Sequence, residues 1–121
     1  MKAILRSGYL AFAILALTAC TGDRIRANSM LIGPGDSREA VIAAMGPPEN
    51  RTFRGSAEAW QYCSTGLTGD TYRTVWLVNG KVASLTSRTT ESHAPVLCAG
   101  FFPEVDWGQV PPDVRIAIEI G

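Results

Sequence analysis

A two-residue turn at Asn79-Gly80 constrains the fold of this chain more than any other feature. Asn-Gly accepts the positive φ angles of a tight hairpin, and residues 71–78 and 81–87 beside it are rich in strand-forming residues. The aromatic-rich residues 57–64 indicate a further strand before them. The sequence therefore predicts a three-stranded antiparallel meander.

The tight turn also sets the register of the hairpin. The expected pairs are Leu77 with Val82, Val75 with Ser84 and Trp76 with Ala83. Tyr72 and Trp76 then share one face of the sheet, which is more aromatic surface than a monomer normally exposes. We expect this face to be covered by another part of the chain or by a partner.

A short helix is expected before the sheet, within residues 35–48. Asp36 or Ser37 can cap it, and Val41 and Met45 lie one turn apart on one face. Gly46 and the two prolines after it end the helix. Because so short a helix is marginal alone in water, it should pack on the meander.

The chain after the meander is a C-terminal extension. Phe101, Phe102 and Trp107 are candidates to cover the aromatic face. Beyond two prolines, the alternation in residues 115–120 predicts a half-buried strand. That strand either pairs at an edge of the sheet or adds to a partner's sheet. The residues assigned to partner binding are Tyr72, Trp76, Arg115, Ile116, Ile118 and Ile120.

The N-terminus has the pattern of an export signal. Lys2 and Arg6 precede an uncharged apolar run at residues 8–17. A membrane span needs about 20 apolar residues, so the shorter run favours a signal peptide over a membrane anchor. Residues 17–20, Leu-Thr-Ala-Cys, resemble the lipobox of bacterial lipoproteins, which implies lipid attachment at Cys20. An ordinary signal with a coincidental cysteine and a short uncleaved anchor are the alternatives.

Composition limits the mature chain to one small domain. Removal of residues 1–19 leaves 102 of the 121 residues, with 9 basic residues against 11 acidic ones. A net charge of −2 does not suggest binding to nucleic acid. The expected divisions are the signal (1–19), a lipidated tether (20–34), the α+β domain (35–87) and the extension (88–121).

Cys63 and Cys98 remain once Cys20 is lipidated. In an oxidising compartment a disulfide between them is expected. Free thiols, or a metal site with His93, are the alternatives, although the sequence lacks a closely spaced cysteine pair. We expect neither a metal nor another cofactor.

Catalytic motifs are not apparent. His93 lies in a polar loop, and Glu104 and Asp106 read as solvated carboxylates. The sequence therefore favours a binding protein over an enzyme.

The order of these signals resembles the SmpA/OmlA family of outer-membrane-assembly lipoproteins, also called BamE-like, over residues 33–87. The matching positions are Gly35, Ser37, Val41, Gly46, Pro48, Trp60, Tyr62 and the Asn79-Gly80 turn. The resemblance implies an α+β fold in which a short N-terminal helix packs on a three- to four-stranded antiparallel meander. That architecture also occurs, doubled, in secreted β-lactamase inhibitory proteins.

Two departures from the family pattern affect what the resemblance implies. The family usually has a second helix before the glycine, whereas residues 25–31 make at best a weak one, and the extension with Cys98 lies outside the pattern. The resemblance implies a lipid-anchored accessory of outer-membrane protein assembly or envelope integrity. Thr21 after the lipidated cysteine favours the outer membrane over the inner membrane. The alternative is an anchored periplasmic inhibitor or small-ligand sensor that uses the aromatic face.

Overall fold

The structure, a computed structural model, describes residues 28–92 and 96–120. Its elements are helix α1 (Arg38–Met45), strands β1 (Asn50–Arg54), β2 (Ala57–Ser64), β3 (Asp70–Val78) and β4 (Lys81–Thr90), a 3₁₀ helix (Cys98–Gly100) and helix α2 (Pro112–Ile120). The strands form one antiparallel sheet in the order β1-β2-β3-β4. The expected α+β arrangement is therefore confirmed.

Helix α1 lies on one face of the sheet, between two capping residues. The Ser37 hydroxyl accepts a hydrogen bond from the Ala40 N–H at 3.2 Å. Gly46 ends the helix at a φ of 82°, and its carbonyl accepts the Tyr62 hydroxyl at 2.8 Å. Val41 is fully buried in a core cluster with the side chains Trp60, Tyr62, Val75, Leu77 and Val82.

Packing on this face starts before Gly35, within the segment that was assigned to the tether. Ile32 packs against the core cluster and Ser29 is buried. The Gly33 N–H donates to the Asp36 carboxylate at 2.8 Å. Residues 28–34 thus contribute to the domain. The remainder of the predicted tether, the signal peptide and Cys20 lie outside the described residues.

Strand β1 is a fourth strand that the local pattern does not reveal. Its sequence, NRTFR, is polar because it lies at an edge of the sheet and buries none of its side chains fully. It pairs with β2 through a turn in which Gly55 has a φ of 58°. β1 is a strand because it pairs with β2, so its own residues do not predict a strand.

Strand β4 contains a bulge that changes the expected register. Leu77 pairs with Val82 as expected, but Trp76 pairs with Ser84 and Val75 with Leu85. The prediction for the latter two pairs was wrong because Ala83 is an extra residue at the bulge. The strand also continues to Thr90, beyond the expected end at residue 87.

Residues 115–120 belong to helix α2, so the predicted C-terminal strand is wrong. Pro112 is the first helical residue, a position that tolerates its missing N–H. Val114 and Ile118, one turn apart, pack toward the sheet, whereas Ile116 is 54% exposed. The alternating isoleucines concealed this helical stripe.

The extension covers the second face of the sheet. Val110 and Val114 pack on Ala57, Ala59 and Trp76. Two edge-to-face aromatic pairs add to this contact: Tyr72 with Phe102 at 5.6 Å between ring centroids, and Trp76 with Trp107 at 5.8 Å. Phe101, the third aromatic candidate, is 44% exposed. The disulfide between Cys63 and Cys98 joins the extension to β2.

Paired substitutions in α2 test the helical orientation. We expect Val114→Ala to lower the free energy of unfolding by about 2 kcal/mol because a fully buried side chain is truncated. Ile116→Ala is the matched control, with an effect within about 0.5 kcal/mol. Urea denaturation measures both. A larger loss for Ile116→Ala would support the strand instead.

Removal of the disulfide should destabilise the domain substantially. Cys63 and Cys98 are 35 residues apart, and the chain-entropy relation for such a loop gives about 4 kcal/mol. We expect the Cys63→Ser/Cys98→Ser double variant to lose this amount in the same assay. The reduced wild-type protein should show a similar loss. Unchanged unfolding midpoints in both would contradict this structural role.

Candidate functional site

A groove of about 520 Å³ lies between the outer half of the sheet and the extension. We call it the β4 groove. It is lined from the sheet by Gln61, Tyr72, Thr74, Trp76, Thr86, Ser87 and Arg88, and from the extension by residues 103–106 and 109–112. The volume falls in the range typical of ligand-binding clefts. The β4 groove is therefore the candidate functional site.

Two side-chain hydrogen bonds connect residues that line the groove. The Trp76 indole N–H donates to the Thr86 hydroxyl at 2.8 Å, which links β3 to β4. The Gln61 amide donates to the Pro103 carbonyl at 3.1 Å, which holds the wall of the extension against β2. Both aromatic side chains of the floor are almost fully buried, so they contribute little exposed surface to the groove.

Charged side chains lie on opposite sides of the groove. Glu104 and Asp106 are exposed on the wall formed by the extension, and Arg88 is exposed on β4. Asp106 accepts a hydrogen bond from the Gly108 N–H at 2.9 Å. The lining that the described residues form thus carries two carboxylates against one guanidinium, which favours a ligand with a positive group near the wall.

The two buried tyrosines act as hydrogen-bond donors. Burial, followed by the charge of Asp70, raises the pKa of Tyr72, whose hydroxyl donates to the Cys98 carbonyl at 3.3 Å. Burial is also the main reason that the pKa of Tyr62 is raised to about 12. Both phenols stay protonated at neutral pH, so the tyrosine beside the groove is suited to a structural role and not to proton abstraction.

A buried carboxylate lies between two arginines on the other face of the sheet. Glu58 is 4% exposed and accepts hydrogen bonds from Arg38 at 2.8 Å and Arg51 at 3.1 Å. The Arg51 guanidinium also lies over the rings of Phe53 and Trp60, at 5.1 and 5.0 Å from their centroids. This cluster joins α1, β1 and β2, and it serves the fold.

The pKa of Glu58 results from opposing effects. Burial alone raises the pKa of this carboxyl, but the hydrogen bonds from Arg38 and Arg51 and the charge of Arg38 outweigh it. The pKa therefore lies below its ordinary value of 4.5. The ionised form consequently stabilises the folded domain at neutral pH.

The residues that the sequence assigned to partner binding do not form one surface. Tyr72 and Trp76 are buried beneath the extension, where they line the floor of the groove. Arg115 and Ile116 are exposed on α2, and Ile118 is partly buried. The side chain of Ile120, like His93, lies outside the described part of the structure. Arg115 donates to the Gly108 carbonyl at 3.1 Å.

The polar lining of the groove was not identified from the sequence. Thr86 and Arg88 face the groove only because the bulge in β4 turns them to the side of Trp76. Glu104 and Asp106, interpreted as solvated carboxylates, become a wall through the fold of the extension. Their spacing of two residues was the only local signal.

Two further properties apply to residues 28–92 and 96–120. No group of three or more histidine, cysteine or acidic side chains is placed there to bind a metal ion. None of the helices in this part of the chain has both the length and the apolarity needed to cross a membrane.

The Glu58 cluster predicts a specific pH dependence. A lowered folded-state pKa gives stability that is present above pH 4.5 and is lost as the pH falls through the folded pKa. We expect Glu58→Gln to lower the free energy of unfolding by about 1–3 kcal/mol at pH 7. The difference from wild type should shrink at pH 3.

Urea denaturation at the two pH values measures this effect. Glu91→Gln, at an exposed position, is the control for the loss of one carboxylate and should leave stability at pH 7 within about 0.5 kcal/mol of wild type. A Glu58→Gln deficit that is equally large at pH 3 would contradict the electrostatic account.

Comparisons of the chain with protein-family models, with curated proteins and with solved structures found no match.

Proposed function

We propose that this chain is a lipid-anchored, non-catalytic binding protein of the bacterial outer membrane that faces the periplasm. The β4 groove carries the binding part of this proposal: an open groove with polar rims, built on a sheet whose two faces are both packed. The buried ionisable side chains discussed above are engaged in holding the fold. The surface that these side chains leave free for contacts, the β4 groove, is suited to binding a partner or ligand.

The anchoring part of the proposal rests on the N-terminal sequence. A charged start, a short apolar run and the Leu-Thr-Ala-Cys motif precede a domain with a disulfide. A disulfide suits an exported protein. Lipid at Cys20 with more than one acyl chain would hold the domain stably at the bilayer, since each buried CH₂ contributes about 0.8 kcal/mol.

The partner class follows from the resemblance to the SmpA/OmlA family. Several of the matching positions have structural roles here: Ser37 caps α1, Gly46 ends it, and Trp60 and Tyr62 belong to the first core cluster. These roles support a BamE-like α+β fold more directly than they support a partner. We propose an accessory role in outer-membrane protein assembly or envelope integrity, with another envelope protein as the partner.

A second candidate function is an anchored inhibitor or small-ligand sensor. The volume of the β4 groove and its hydroxyl-bearing residues Thr74 and Thr86 favour it, because such side chains bind small polar ligands. The aromatic rings that the sequence interpretation had assigned to this role lie buried under the extension.

Anchoring is tested with Cys20→Ala. We expect the wild-type chain to fractionate with outer-membrane markers and to incorporate a palmitate analogue, and the variant to lose the label and leave the membrane fraction. Thr21→Asp is the matched control, which keeps the label and moves the protein to the inner membrane. Equal labelling of wild type and Cys20→Ala would refute lipidation.

The partner class is tested by affinity purification of the wild-type chain from solubilised membranes. Enrichment of outer-membrane assembly proteins relative to Cys20→Ala supports the proposed role. Enrichment of a soluble hydrolase, or a small ligand seen by native mass spectrometry, supports the second candidate and overturns the first.

A further inference from the structure

The outer edge of β4 has a covered half and an open half. Near the start of the strand, Val82 exchanges backbone hydrogen bonds with Gly35 and Asp36, at 2.7 and 2.8 Å. Among the described residues, no segment forms such bonds with the outer edge at residues 85–89. This open half borders the β4 groove.

The register identifies which backbone groups point outward. In an antiparallel pair, hydrogen-bonded and non-hydrogen-bonded positions alternate. Val82, opposite Leu77, bonds outward, so the residues opposite Val75, Arg73 and Thr71 also point outward. These residues are Leu85, Ser87 and Thr89. Their N–H and C=O groups can pair with an added strand.

We propose that the outer edge of β4 at residues 85–89 binds an extended segment of a partner protein, with a basic side chain of that segment in the β4 groove. The added strand continues the sheet, and its alternate side chains lie over the groove beside Thr86 and Arg88. The inference deepens the proposed binding function and rests on it.

The charges that line the groove favour a partner segment with a basic side chain. Glu104 and Asp106 form the exposed wall, and among the described residues Arg88 is the one basic side chain that lines the groove. A lysine of the added strand that lies beside Thr86 reaches toward the two carboxylates of the wall. Arg88 is the next β4 residue on the same face as Thr86. A glutamate at that position meets the negative wall instead.

Ser87 provides a selective test, because its N–H points away from β3. Ser87→Pro removes an outward donor and keeps the hydrogen bonds between β3 and β4, a placement that edge strands tolerate. Ser87→Ala is the matched control, since it removes the hydroxyl and keeps the N–H. Thermal unfolding establishes that both variants are folded.

The probe is an acetylated and amidated Thr-Val-Thr-Lys-Thr-Val-Thr peptide, titrated into the full chain and followed by heteronuclear NMR. We expect shifts at residues 85–89, binding retained by Ser87→Ala and weakened about tenfold by Ser87→Pro. A peptide with Glu in place of Lys should bind about two- to fivefold more weakly. The Glu104→Gln/Asp106→Asn double variant should remove that preference.

Several results would overturn the inference. They are the absence of binding, equal binding by Ser87→Pro and Ser87→Ala, or shifts confined to the groove without the edge, which would indicate a small-ligand site. A dimer in sedimentation that Ser87→Pro dissociates, without peptide binding, would assign the edge to a second copy of this chain. Because the assay needs no membrane, its failure is distinguishable from failure of the anchoring experiments.

Discussion

The packing of the C-terminal extension on Trp76 is the contact on which the rest of the structure depends. The Trp76 ring meets Trp107 edge to face, shares a core cluster with Val114, and donates its indole N–H to Thr86 on β4. Without this cover the sheet would expose an aromatic face in water. The disulfide at Cys98 keeps the covering segment near the sheet, which lowers the entropy that the extension loses on docking.

The two faces of the sheet are stabilised by different interactions. The face under α1 has an apolar cluster around Trp60. Glu58 forms ion pairs with two arginines on the same face. Under the extension, aromatic pairs and the disulfide carry the contact, and the extension leaves part of β4 uncovered. The second face therefore combines a packed floor with an open groove.

The bulge in β4 connects the fold to the candidate site. One extra residue at Ala83 reverses the orientation of every later residue in the strand relative to an unbroken hairpin. Thr86 and Arg88 consequently face the groove, and Ser87 directs its backbone groups outward. The same irregularity shapes both the groove and the outer edge of β4 at residues 85–89, so the two features form one surface.

The sequence by itself determined the elements that depend on neighbouring residues. The caps of α1 at Ser37 and Gly46 and the turn at Asn79-Gly80 are local, and the disulfide was expected from the number of cysteines and the predicted export signal. Tertiary structure alone decided β1, the bulge and helix α2, because each is settled by pairing or packing with another element. The polar β1 forms a strand because it pairs with β2, and the packing of Val114 against the sheet orients α2. The groove arises between segments that are distant in the chain, and no local pattern encodes it.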